Sequence, residues 1–190
     1  MLKKTEVIRT IRYAIYSAAA LAFAVGISSC DGDDPAPVNE EEVITTLNVT
    51  LATNGGGTPV TLRFFDADGD GSGAPVKTVS GNLAANKTYT GVITLSDDSK
   101  STPVDITEEV AEEADDHLFC FTVTGSNLTV TAVDKDSKNL PIGLASSWLT
   151  TSAGNATVKI VLRHQPGTKT GQCPGTGDTD VEVDFNVTVQ

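Results

Sequence analysis

The chain reads as an all-β domain, and three observations carry that reading. From Glu40 onward apolar and polar residues alternate with the period of two of half-buried strands, β-branched residues (chiefly Val and Thr) dominate those stretches, and Gly, Asn and Asp clusters interrupt them. In chain order, Val43, Thr45, Leu47, Val49 and Leu51 share one face of a first strand, while Ile44, Thr46, Asn48 and Thr50 take the other. Asn54-Gly55-Gly56-Gly57 supplies residues that tolerate positive φ in a turn before a second strand, Val60 to Phe65. Further strands are expected at Val76 to Ser80, Lys87 to Ser96, His117 to Thr124, Leu128 to Asp134, Ala156 to Arg163 and Val181 to Gln190. About eight short strands joined by turns predict an antiparallel β-sandwich. A small closed β-barrel is the alternative, and it requires the terminal strands to pair.

One segment departs from the β pattern. Asp105-Ile106-Thr107-Glu108 has the form of a capping box, with Asp105 accepting from a backbone N–H and Glu108 reaching back. Ile106, Val110 and Ala114 recur every four residues, so a short connecting helix over 106–116 is expected to lay an apolar stripe on the sheets.

The first 29 residues have the composition of an export signal and not of a folded element. Lys3, Lys4, Arg9 and Arg12 form a cationic start, an apolar run extends from Tyr13 to Ile27, and small residues follow. Ile27-Ser28-Ser29-Cys30 resembles a lipobox, the tetrapeptide at which a lipoprotein is cleaved before a lipidated cysteine. Covalent lipid on Cys30 would anchor the chain at a membrane without spanning it. Residues 30–40, with Asp31, Asp33, Asp34, Pro35 and Pro37, read as an acidic, proline-stiffened tether, and 41–190 as a single β domain. The acids after Cys30 resemble the surface-export signal of Bacteroidota lipoproteins, which implies the outer face of the outer membrane. A periplasm-facing anchor is the alternative.

Charge excludes one class of partner. The whole chain carries a formal charge of −12, and removing the signal, with its four basic residues and Glu6, deepens that to −15 over the remaining 161 of the 190 residues. No basic footprint is left to neutralise phosphates, so no nucleic-acid partner is expected. A nucleophile elbow, a phosphate loop and a nucleotide fingerprint are all missing from the sequence, so no enzyme chemistry is assigned. With aromatic residues at 5% and Trp148 the one tryptophan, a broad aromatic platform for sugars is not expected either; Trp148 is placed over the end of the core, with its N–H on a carbonyl.

Two stretches carry metal-ligand chemistry. Asp66-Ala67-Asp68-Gly69-Asp70-Gly71 matches the D-x-D-x-D-G half of a calcium loop, in which acids at alternate positions wrap a hard cation. The match fails at position twelve, where Lys77 replaces the bidentate glutamate, so calcium at Asp66, Asp68 and Asp70 needs a further ligand such as the Asp134/Asp136 loop; the plain alternative is an Asp/Gly turn. The second candidate is a transition-metal set. Glu109, Glu113 and His117 are spaced by four and share a face if the helix reaches His117, while His164 ends a later strand. Glu113, His117 and His164 are its ligands; the alternative is a solvated helix face and two strand-end histidines. Cys120 and Cys173 form a disulfide outside the cytoplasm, or Cys120 is simply a buried apolar residue.

Glu41 to Thr46, the run from Asp105-Ile106-Thr107-Glu108-Glu109 to His117, and Leu162-Arg163-His164 together resemble small Bacteroidota outer-membrane lipoproteins with a lipobox signal and one β-rich domain. The resemblance implies an envelope protein, as an accessory to an outer-membrane transporter or to a surface protein partner. The expected function is a lipid-anchored binding module that captures a metal or small ligand. A non-catalytic structural or adhesive β-domain, displaying loops 66–75 and 135–147, is the other expectation.

Overall fold

The longest alternation in the sequence makes the longest strand. In Asp178–Val189 the residues Val181, Val183, Phe185, Val187 and Val189 are buried, while Glu182, Asp184, Asn186 and Thr188 between them are exposed. The computed structural model describes residues 42–53, 55–69, 73–125 and 127–190, so the signal, Cys30 and the rest of the tether, Glu41, and Asp70 lie outside the described residues. Residues Glu40–Gln190 form one compact unit.

The described strands are β1 (Thr46–Thr53), β2 (Val60–Phe65), β3 (Val76–Val79), β4 (Thr88–Asp97), β5 (Val104–Asp105), β6 (His117–Thr124), β7 (Leu128–Ala132), β8 (Ala145–Thr150), β9 (Gly154–His164) and β10 (Asp178–Val189). They form two sheets, one ordered β3-β2-β1-β4-β8-β7 with β5 beside the far end of β4, the other ordered β10-β9-β6. Neighbours within each sheet run antiparallel. Leu47, Val49, Leu51, Ile93, Leu95 and Trp148 of the larger sheet share one buried cluster with Phe119, Val158, Ile160, Leu162 and Phe185 of the smaller. Each such side chain contributes roughly 1.5–3 kcal/mol on burial, and together they hold the layers face to face. The fold is therefore the all-β sandwich that the alternation predicts. A closed barrel is excluded because β1 and β10 lie in different sheets.

Two strands escaped the sequence reading. β5 is only two residues long, and β8 falls partly in the segment expected to be a loop, because its Ser146 and Ser147 carry no strand signal. Burial of Trp148 overrides local preference there. The ring is fully buried within β8, not laid over an end of the core, and its N–H donates to Ser146 Oγ (2.9 Å) instead of a carbonyl. Gly91 in the middle of β4 makes the room, since a Cβ there would stand 2.7 Å from Trp148 Nε1.

The helix, α1 (Ile106–Glu112), is shorter than expected. Asp105 caps it, accepting from the Thr107 N–H (2.8 Å), and Ile106 and Val110 are buried. The Thr107 hydroxyl pins it to β4 through both backbone groups of Leu95. It stops at Glu113 because Glu112, Glu113, Asp115 and Asp116 crowd negative charge at the negative end of the helix dipole, with no basic residue in the last turn. The turn 113–116 is instead clamped from outside. The Ala114 carbonyl accepts from Lys169 Nζ (2.7 Å), Asp115 from the Ser137 hydroxyl, and Asp116 from the backbone of Gln165 and Gly167. Cys120 and Cys173 are joined by a disulfide across 53 positions. It ties the segment after β9 to the face of β6 opposite the core, where Leu118, Cys120 and Val161 form a small separate cluster.

Candidate metal centre

His117 opens β6 and His164 closes β9, and the register sets them directly opposite each other. Alternation places both on the core side of their strands, with Phe119 and Leu162. They stand at one end of the sandwich with their rings stacked, centroids 4.4 Å apart and planes 12° from parallel. Both residues are buried, His117 completely.

Carboxylates reach the pair from three other segments. Thr45 fixes the segment before β1 to the larger sheet, its N–H donating to the Ser96 carbonyl (3.1 Å), and three residues earlier Glu42 crosses to the smaller sheet. Its Oε1 lies 3.1 Å from His117 Nε2. On β10 the register shifts between Thr179 and Val181, so Asp180 is the extra residue of a bulge. In an unbroken strand it would point away from the core, opposite to Val181. The bulge turns it inward instead, with Oδ2 3.9 Å from His117 Nε2. At the end of α1 the Glu113 carbonyl lies 3.2 Å from His117 Nδ1, and its exposed side chain closes the group on the solvent side. One donor atom from each of Glu42, Glu113, His117 and His164 lies within 4.8 Å of the others, so this His/Glu group can hold a metal ion.

The charges are mutually supporting. Burial alone would push the His117 imidazole pKa down, but the Glu42 hydrogen bond and charge, the Glu113 carbonyl and the Asp180 charge outweigh it and hold the pKa above its ordinary value. Burial of Glu42 acts the opposite way, raising its pKa, yet the hydrogen bond from His117 and the charges of both histidines bring the carboxyl below its usual range. Even so the group is not saturated. Glu42 Oε2 and His164 Nδ1 are buried without a hydrogen-bond partner, and such atoms cost about 1–3 kcal/mol each. A tetrahedral ion at 2.0–2.1 Å from its ligands needs donors roughly 3.3 Å apart, so the group must draw in on binding. Among the described residues His164 Nδ1 has no hydrogen-bond partner, and the ring is held by its stacking on His117.

The sequence-based set is thus partly assembled and partly replaced. Glu113, His117 and His164 come together, but not on a shared helix face, because α1 ends before His117. Glu109 stays exposed on α1, outside the group. Glu42 and Asp180 were missed: Glu42 reads as an ordinary acidic residue at the start of the β domain, and nothing in the sequence marks the bulge. The calcium candidate is only partly described. Asp66 and Asp68 sit close together, and the Asp68 side-chain hydrogen bond, then loss of hydration, then the Asp68 charge lift the Asp66 carboxyl above its usual range. The ligand expected from the Asp134/Asp136 loop does not come: Asp134 accepts from the N–H groups of Gly143 and Ala145, and Asp136 pairs with Lys169. The 66–69 turn folds back on residues 43–45, with Gly69 at φ 66 where a Cβ would meet Thr45 at 2.9 Å. Asp66 therefore lines the same pocket of about 350 Å³ as Glu42, Asp180 and Glu182.

Among the described residues no helix is long and apolar enough to cross a membrane. Comparison with protein-family models, with curated proteins and with solved structures finds no match to the chain, and its functional reading rests on this buried pair of histidines and the carboxylates around it.

Proposed function

We propose that the chain is a non-catalytic binding module of the cell envelope, lipid-anchored through Cys30 at the outer membrane and exposed at the cell surface, that captures a divalent metal ion as an accessory to an outer-membrane transporter. The observation that carries the proposal is the convergence of the buried His117 and His164 with Glu42 and the exposed Glu113, from three separate segments, within 4.8 Å of one another. The acidic tether and the net charge of −15 left once the signal is removed would draw cations toward it. Elemental analysis of the full-length chain in detergent, after equilibration with divalent metals and washing, tests this directly. The expectation is one ion per chain and a lower melting temperature after EDTA; a metal-free chain with no response to chelator refutes it.

A structural or adhesive β-domain is the second reading. It is favoured by the hydrogen bond that His117 and Glu42 already make, which is itself a tie between the two sheets. On that reading no metal binds and the loops at 66–75 and 135–144 contact a protein partner. The turn at Asp66 and Asp68 is the place for a calcium ion that stiffens the loop. A calcium-dependent rise in melting temperature that survives His164→Asn would locate it there.

A further inference from the structure

We infer that the ion taken by this cluster is of the zinc class, bound at His117 Nε2 and at His164 with carboxylate oxygens from Glu42 and Glu113, and that Asp180 is a positioning residue brought to the site by the bulge in β10. The inference rests on the metal-capture reading above and names its ion and the orientation of its ligands.

A backbone carbonyl can only accept, so the 3.2 Å contact between the Glu113 oxygen and His117 Nδ1 places the hydrogen on Nδ1. Nε2 donates to the Glu42 carboxylate in the metal-free chain, so an ion bound there takes the place of that hydrogen, which leaves to solvent, with Glu42 and Asp180 beside it. A ligating histidine that donates its other ring N–H to a carbonyl is the usual outer-shell arrangement of metal sites, because it fixes both ring orientation and tautomer. Here the end of α1 supplies that carbonyl, which gives the early stop of the helix a consequence for the site.

The donor set then selects the ion. Two imidazoles and two carboxylates suit zinc and its first-row neighbours, whereas calcium takes six to eight oxygens and magnesium keeps its waters. Strand register sets His117 and His164 directly opposite each other, so both imidazoles are presented at one place. His164 adds an independent sign. It is 6% exposed, and its Nδ1 is buried with no hydrogen-bond partner, a poor arrangement for a histidine whose role is packing. Asp180, 2% exposed at its side chain and 3.9 Å from Nε2, sets a charge beside the ligand atom and steers the His117 ring.

Cobalt(II) is the probe, because its visible absorption reports the ligand field. Titration of the full-length chain is expected to give one cobalt per chain, with a band that zinc abolishes and a hundredfold excess of calcium or magnesium does not. His164→Asn should weaken cobalt binding at least tenfold with an unchanged circular dichroism spectrum. Glu113→Gln, at an exposed position that folding does not depend on, should weaken it by about tenfold, and Asp180→Asn by about 10–100-fold with a shifted band. An unshifted band in Asp180→Asn overturns its positioning role. Displacement of cobalt by calcium, or binding that both His164→Asn and Glu113→Gln leave intact, overturns the zinc-class assignment while metal capture itself stands. If no divalent ion binds at all, both fall together.

Discussion

Two buried groups of charge flank the turn at the end of α1, and they are built differently. On one side Lys169 and Asp136 form an ion pair at 2.8 Å with side chains 1% and 0% exposed. Asp136 Oδ1 accepts from the N–H groups of Lys138 and Leu140, Oδ2 has the Lys169 ammonium as its partner, and Lys169 also donates to the Ala114 carbonyl. On the other side His117, His164, Glu42 and Asp180 are equally buried, but Glu42 Oε2 and His164 Nδ1 have no hydrogen-bond partner. The ion pair, each charge neutralised by the other, joins the 134–140 and 165–169 segments to the helix end. A group with unspent donors and acceptors is a poor device for stability and a suitable one for binding.

The comparison can be broken or sharpened by mutation. The largest effect is expected for Lys169→Met, which strands the buried Asp136 carboxylate and should cost about 3–5 kcal/mol in chemical denaturation. Adding Asp136→Leu should recover most of that loss. Removing the disulfide with Cys120→Ala and Cys173→Ala frees the segment that carries Lys169 and should cost about 2–4 kcal/mol. Thermal melting with and without a reductant checks the same point. His164→Phe, by contrast, replaces an unsatisfied ring with an apolar one, and its stability should stay within about 1 kcal/mol of the parent. If instead it destabilises as much as Lys169→Met does, the histidine group is structural and the contrast disappears.

The smallest effect is with pH, and its sign follows from the two shifted groups. His117 is raised, so its contribution is fully present below the ordinary histidine value of 6.5 and is lost as pH climbs through the raised value. Glu42 is lowered, so its contribution is present above the ordinary value of 4.5 and is lost as pH falls through the lowered one. Metal-free stability should therefore be greatest between those ordinary values and decline on either side. Glu42→Gln should flatten the decline on the alkaline side, measured as melting temperature against pH.

Most of the architecture was readable because burial on one face writes itself into the sequence with a period of two. β10, β9 and β4 show this directly, and the N-cap at Asp105 reads from its spacing to the helix. β8 did not read, because a single tryptophan secures it against two serines that carry no strand signal. The site divides in the same way. His117 and His164 stood out as the only two histidines in the chain, and strand ends were visible as their setting. Their pairing was not, because register between β6 and β9 is set by the whole core. Glu42 lies 75 positions from His117, with no local pattern linking them. Asp180 depends on one extra residue in β10, and alternation alone assigns it to the wrong face.

Thermal melting of the full-length chain with and without zinc tests the binding role of the histidine group most directly. At a free zinc concentration about a hundredfold above the dissociation constant, selective binding to the folded state adds about 2.7 kcal/mol, or a rise of roughly 5 °C or more. The account predicts that rise in the parent chain and its loss in His164→Asn. A parent chain whose melting temperature zinc leaves unchanged, or an equal rise in both proteins, would contradict it.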